Sequence, residues 1–252
     1  MSRVILVTGS NTGMGYDLVK VLASKPEKHV VYLAARKEQA GKEAIAKLQS
    51  EDNLTNIKFV QLDVSDPASI QHAKSQIEND ENGILDVLVH NAGIASMTEN
   101  QNATTVDVST IRTTMETNLY GVINTTQAFL PLLRMAASQE GRPKPVVLLN
   151  STDMASNAFQ ARPDAFLHCT AYNTSKAAAN SYMIALSHEL RKEGILVNVV
   201  TPGFTSTKLN GFGEGGSTTK DSAEFLAKWS LLEGELEGKT GAFWSKGGEF
   251  PW

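Results

Sequence analysis

The chain has one cysteine, Cys169, among 252 residues. A lone thiol excludes an internal disulfide and fits a reducing compartment. Its five histidines are scattered, and none falls in an H-E-x-x-H or similar ligand spacing, so no metal site is expected. No apolar stretch approaches the ~20 residues needed to span a bilayer. The opening MSRVILVTGS offers only VILV as an apolar run, too short for an export signal, and a glycine-rich turn follows at once. A soluble, cytoplasmic protein is the default expectation. Lysine and arginine form no blocks and the formal net charge is −4, which leaves no footprint for nucleic acid. A serine hydrolase would want G-x-S-x-G, and Ser151 sits instead in LLNSTDM.

What the chain does have is an alternation. Short runs rich in β-branched residues (VILVT 4–8, HVVYLAA 29–35, IKFVQLD 57–63, ILDVLVH 84–90, PVVLLNS 145–151, ILVNVVT 195–201) read as strands buried on both faces. Segments of helical period lie between them, at 14–24, 38–50, 67–79, about 107–134 and 171–194. Such repeats predict an α/β Rossmann fold: one doubly wound parallel sheet of about seven strands, with helices on both faces. A hydrophobic fraction of 41% is ample for one large core, so residues 1–252 read as a single domain. Two segments break the rhythm, about 152–171 and 204–222, and loops of this length are where a substrate wall would lie.

The first strand leads into GSNTGMG and then a helix. Gly9, Gly13 and Gly15 let a phosphate approach the backbone, and the helix behind them offers free N–H groups to an anion. Asn11, Thr12 and Met14 complete this candidate cradle. About 20 residues on, dinucleotide folds place an acid on the adenosine ribose. Here the strand ends in AARK, with Ala35 in that place and Arg36 and Lys37 after it. Basic residues are unfavourable at a helix N-terminus, and arginine pairs well with phosphate. The reading is NADP(H) over NAD(H).

Tyrosine and lysine stand four residues apart twice, in YDLVK (Tyr16, Lys20) and in YNTSK (Tyr172, Lys176). Spacing alone does not choose between them, although the first pair falls inside the helix behind the glycine turn, where it reads as helix decoration.

TGSNTGMG (8–15), HNAG (90–93), TNLYG (117–121), NSTDMAS (150–156), YNTSK (172–176) and TPGFTST (201–207) occur in an order that resembles the short-chain dehydrogenase/reductase family over nearly the whole chain. The AAR segment and the GAFWSKGGEFPW tail look most like its carbonyl reductase branch. The resemblance implies that Tyr172 is a general acid/base, with Lys176 lowering its pKa and holding the nicotinamide ribose. Bringing a tyrosine from a pKa of ~10 to ~7 corresponds to about 4 kcal/mol of differential stabilisation of the phenolate, which an ammonium one turn away and an oxidised nicotinamide could supply. It further implies that the Ser151 hydroxyl bonds the substrate oxygen, with Thr152 and Ser156 as rivals. Asn118 would open a helix locally and hold a water in a proton relay to the lysine.

Asp63 and Val64 would lie beside the adenine. Asn91, Ala92 and Gly93 would lie near its ribose, Asn91 tying neighbouring strands together. His90 replaces the usual first asparagine and reads as a packed strand-end residue. Pro202 and Gly203 would shape the nicotinamide pocket, with Thr205 and Thr207 as further cofactor contacts. The basic residue often found before the second turn glycine is absent, since Thr12 sits there, so the NADPH/NADP+ preference leans on Arg36.

The expected activity is reduction of a ketone, aldehyde or quinone of apolar character. Phe159, Phe166, Leu167, Phe204, Phe212, Phe225 and Trp229 are candidates for its pocket. An NADPH-binding sensor without catalysis, or an alcohol dehydrogenase working oxidatively, are the alternatives. The family often pairs through long helices, which implies a homodimer or homotetramer unless the 152–171 segment blocks that face.

Overall fold

The computed structural model describes residues 1–165 and 169–252. Strands β1 (Val4–Val7), β2 (Val30–Ala35), β3 (Ile57–Gln61), β4 (Val87–His90), β5 (Val146–Asn150), β6 (Leu196–Thr201), β7 (Phe243–Ser245) and β8 (Gly248–Glu249) form one sheet in the order β3-β2-β1-β4-β5-β6-β7-β8. The first seven are parallel, and the two-residue β8 adds an antiparallel eighth strand. The last two strands come from the GAFWSKGGEFPW tail. Its Phe250 and Trp252 fold back onto the buried Phe243, with ring centroids 5.3 and 5.5 Å away.

Helices α1 (Gly13–Ala23), α2 (Glu38–Asp52) and α8 (Thr219–Leu231) cover one face of the sheet. Helices α3 (Pro67–Asp80), α5 (Gly121–Ala137) and α7 (Thr170–Leu190) cover the other. Each face encloses its own apolar core, so β1, β2, β4, β5 and β6 are buried on both sides, as their Val/Ile/Leu-rich runs require, whereas the edge strand β3 leaves Lys58 and Gln61 exposed. Two further short helices are α4 (Val108–Met115) and α6 (Asn157–Gln160).

Helix α8 begins inside the segment read above as irregular. Thr218 caps it, accepting from Asp221 N at 3.1 Å while its own hydroxyl donates to Asp221 Oδ2 at 2.7 Å. That T-x-x-D cap is visible in TTKD. The long helical region at 107–134 is likewise divided. Between α4 and α5 lies a π-helical turn, Glu116–Tyr120, where Gly121 N donates to Glu116 O, five residues back.

Strand order reverses between β1 and β4, and the crevice at the carboxyl ends of these strands is where doubly wound sheets bind ligands. Every motif singled out above, except the tail, reaches that rim. The opposite rim is held by a buried ion pair. Asp86, with no exposed surface, accepts from Arg142 Nε and Nη2 at 2.5 and 2.7 Å and from Val4 N at 2.6 Å.

Candidate active site

The turn after β1 is shaped by what a side chain would strike. Gly9 has φ +61°, and a Cβ there would meet Ala92 Cα at 2.8 Å; one on Gly15 would meet Ser10 Cα at 2.8 Å and collide with Asn91 Nδ2. Gly13, φ +60°, opens on free space. Thr12 precedes α1 in extended conformation with no side-chain bond to the helix. The first N–H groups of α1 therefore face outward, the arrangement that holds a phosphate. Asn11, Thr12, Gly13 and Met14 all keep some exposure along this edge.

Asn91 ties three strands. Its Nδ2 donates to Thr8 O and Gly9 O, both at 3.0 Å, and its Oδ1 accepts from Asn150 Nδ2 at 3.1 Å. At the end of β2 the Arg36 side chain is 71% exposed, its Nε 4.0 Å from Asp63 Oδ2. Lys37 precedes α2 in extended conformation. Val64 packs against Gly121, where a Cβ would meet its Cγ2 at 2.9 Å. The glycine of TNLYG thus lets α5 close on the chain after β3.

Helix α7 carries the pair. Its buried stripe runs Tyr172, Ser175, Lys176, Ala179, Asn180, Met183, Leu186 and Leu190. The lower half is apolar, while the upper half buries polar groups beside the ends of β4 and β5. Lys176 Nζ donates to Asn150 O at 2.8 Å. Burial lowers its pKa to about 8. Asn118 stands at the centre of the π-helical turn. Its Oδ1 accepts from Ile94 N at 2.9 Å, and its Nδ2 donates to Ile94 O at 2.8 Å and to Ser175 Oγ at 2.9 Å. A Cβ on Gly93 would meet Asn118 Oδ1 at 3.2 Å and Lys176 Nζ at 3.5 Å. Gly93, Asn118 and Lys176 thus converge. The other pair does not: Lys20 binds Asp52 at 2.6 Å on the surface.

Two expectations need correction. The Ser151 hydroxyl does not face the phenol; it donates to Asn180 Oδ1 at 2.7 Å, deeper along α7. Thr152, one residue on, donates its hydroxyl to Asp153 Oδ1 at 3.0 Å and lies near enough to the phenol to favour its ionised form. Ser156 is also committed, accepting from Phe159 N at the start of α6. Second, the balance of the protein's own groups on the Tyr172 pKa is upward. Burial pushes it well above its ordinary value, the Asp153 carboxylate and Cys169 add to this, and only Thr152 opposes them. The Lys176 ammonium is turned to Asn150 O.

Asp153 was not among the expected site residues, although it stands in NSTDMAS directly after the hydroxyl. Asn150, Ser175 and Asn180, which position Lys176, Asn118 and Ser151, were missed for a different reason: their roles depend on contacts across elements.

Beyond β6, Gly203 has φ +78° and opens on free space. Thr205 is buried, its hydroxyl 2.8 Å from Ser222 Oγ, so that side chain anchors the loop to α8. Thr207 N donates to Asn210 Oδ1 at 3.0 Å. Among the pocket candidates, Trp229 stacks on Trp244 at 4.8 Å and Phe225 packs on the core; neither lines a pocket. Phe159 leans on Phe250 at 5.5 Å. Phe204 and Phe212 are exposed. Phe166 and Leu167 lie outside the described residues.

His90 is a packed strand-end residue, its Nε2 2.9 Å from Thr126 Oγ1. Burial, with the Lys176 charge adding to it, lowers its pKa to about 3. In the unfolded chain a histidine titrates near ~6.5. Between those values the unfolded state holds the extra proton, so the contribution of neutral His90 is complete above ~6.5 and falls with pH, by roughly 2 kcal/mol at pH 5. Urea midpoints at pH 7 and pH 5 should show this loss in the wild type and a smaller one in His90→Asn.

A family model described as short chain dehydrogenase matches residues 3–213. The chain belongs to the short-chain dehydrogenase/reductase family. It is 35% identical over 208 residues to the short-chain dehydrogenase/reductase AacuF of Aspergillus aculeatus, covering 80% of this chain and 73% of that one. Among solved structures, the NADPH-bound carbonyl reductase from chicken fatty liver superposes with a TM-score of 0.85 at 29% identity, covering 100% of this chain and 99% of that one. The carbonyl reductase Sniffer of D. melanogaster gives 0.86 at 27%, with both chains fully covered. The protein is thus a carbonyl reductase-like oxidoreductase of this family, and its glycine turn and strand crevice fit a nicotinamide dinucleotide. Among the described residues no helix is long and apolar enough to cross a membrane.

Proposed function

We propose that the protein is an NADPH-dependent carbonyl reductase that delivers hydride to a ketone, aldehyde or quinone in the cytoplasm. The observation that supports this reading is Lys176 and Asn118 meeting at Gly93, with Tyr172 on the same buried stripe of α7 as Lys176, in a chain whose glycine turn opens before α1.

NADPH, when bound, supplies the hydride. The chain's own groups do the rest. Gly9, Asn11, Thr12, Gly13, Met14 and Gly15 would cradle the pyrophosphate with backbone N–H groups at the start of α1. Arg36 and Lys37 would hold the 2′-phosphate. Asp63 and Val64 would border the adenine, with Asn91, Ala92 and Gly93 beside its ribose. Pro202, Gly203, Thr205 and Thr207 would shape the nicotinamide side.

Tyr172 donates its phenolic proton to the substrate oxygen as charge develops there. Thr152 replaces Ser151 as the hydroxyl on that oxygen, its O–H swinging over from Asp153. Lys176 has donors to spare beyond Asn150 O, and these would reach the nicotinamide ribose and steady the phenolate as it forms. Asn118 has its side chain wholly committed. Its part in proton return would fall to the backbone that the π-helical turn exposes, through a bound water.

The raised Tyr172 pKa keeps the proton on the phenol, the form from which reduction starts. A sensor without catalysis would have no use for a buried tyrosine and lysine, each of which costs stability to desolvate.

Initial rates of NADPH oxidation with 1-phenyl-1,2-propanedione test this reading; no turnover despite NADPH binding would defeat it. The cofactor assignment has its own check. Arg36→Ala should raise the KM for NADPH by roughly 10- to 100-fold, the worth of one charge-assisted bond, and leave that for NADH in place. Equal effects on both cofactors would remove the 2′-phosphate from the account.

A further inference from the structure

We propose that Asp153 is a specificity-determining residue that draws carbonyl substrates bearing a cationic group and turns away anionic ones. This rests on the reductase reading above.

Three observations meet here. First, Asp153 opens the short turn Asp153–Ala155 that follows β5, between Thr152 and the Met154 that packs with Tyr172. Its Oδ1 is pinned, accepting from Thr152 Oγ1 at 3.0 Å and from Met154 N at 2.9 Å. Second, the carboxylate is half-buried, and among the described residues no Lys, Arg or His side chain lies within 4.0 Å of it. Oδ2 likewise has no hydrogen-bond partner among them. Third, the surroundings are apolar. Met154, Ala95 and Cys169 pack with Tyr172 into a small cluster on this side of the sheet, and Met97 Sδ lies 3.7 Å from Cys169 Sγ.

A fixed negative charge, unpaired among the described residues and next to the Met154 that packs on Tyr172, imposes a sign on whatever binds there. The apolar wall lowers the local dielectric and so lengthens that reach. The buried Lys176 ammonium is turned to the Asn150 carbonyl at 2.8 Å. An ammonium or iminium group carried a few ångströms from the reacting carbonyl would be attracted, and a carboxylate in the same place repelled. At separations of roughly 7 Å with the effective dielectric of a partly exposed site, the discrimination is about tenfold each way.

The test uses three forms of 1-phenyl-1,2-propanedione: unsubstituted, para-trimethylammonium and para-carboxylate. Wild-type kcat/KM should fall in the order ammonium, neutral, carboxylate, in steps of about tenfold that shrink as salt is raised. In Asp153→Asn the ammonium-to-carboxylate ratio should collapse to within a few fold. A ratio within one variant cancels losses in folding or turnover. The salt dependence in the wild type gives a reading that needs no variant. If the wild type reduces the neutral diketone but shows no charge order, or if Asp153→Asn keeps that order, the charge-selection proposal is overturned alone. If none of the three is reduced by the wild type, or if Tyr172→Phe reduces the neutral one at the same rate, the reductase reading falls and takes this proposal with it.

Discussion

Tyr172→Phe should abolish most carbonyl reduction while the protein still binds NADPH. The substitution keeps the ring in its packing among Ala95, Met154 and Cys169 and removes only the proton that neutralises the nascent alkoxide. General acid catalysis of this kind is worth on the order of 10²–10⁴-fold, so kcat should fall by that amount. The dissociation constant for NADPH, read from fluorescence titration, should move by less than a few fold. Matching rates for the two proteins would mean that the phenol is not the acid.

The same residue sets a pH signature. Burial and Asp153 hold the phenol protonated well above its ordinary range. Reduction, which needs the proton in place, should therefore show no loss from Tyr172 across pH 6–9. Oxidation of the product alcohol by NADP+ needs the phenolate and should rise with pH over that span. Profiles of both directions on one preparation would check the sign.

Arg142→Met should cost about 3–5 kcal/mol of stability, the usual price of stranding one member of a buried ion pair. Asp86 has no exposed surface, and Arg142 supplies two of its three hydrogen bonds. Its remaining partner, Val4 N, binds the carboxylate at the start of β1, so an unpaired charge there would loosen the central strand pair. The loss should appear as a lower urea midpoint and a fall in Tm on the order of 10 °C. The site lies at the opposite rim, so kcat of the folded fraction should be unchanged. Asp86→Leu combined with Arg142→Met should recover part of the loss, because apolar pairs of similar volume replace buried ion pairs at little cost.

Much of the fold was legible because its signals are local. Strands buried on both faces appear as unbroken runs such as VILV and VVLLN, and the helices between them carry their period in the sequence. The glycine turn is equally local, since a positive φ at Gly9 and the close approach of Ala92 require a residue without a side chain. Helix α8 was missed although its TTKD cap was present. Strands β7 and β8 are too short to show a period.

The sequence by itself determined the six parallel strands from β1 to β6, the turn before α1, and the placing of Tyr172 and Lys176 on one helical stripe, because each follows from residue types at fixed spacing. Only the tertiary structure decided which of two adjacent hydroxyls turns inward to Asn180 and which to Asp153. Successive side chains of an extended segment point in opposite directions, so a one-residue slip in a motif exchanges Ser151, turned to Asn180, for Thr152. It also decided the direction of the Tyr172 pKa, which burial and the Asp153 carboxylate raise together while Thr152 opposes them. No spacing along the chain records how far Lys176 Nζ stands from the phenol, or that it spends a hydrogen bond on Asn150 O instead.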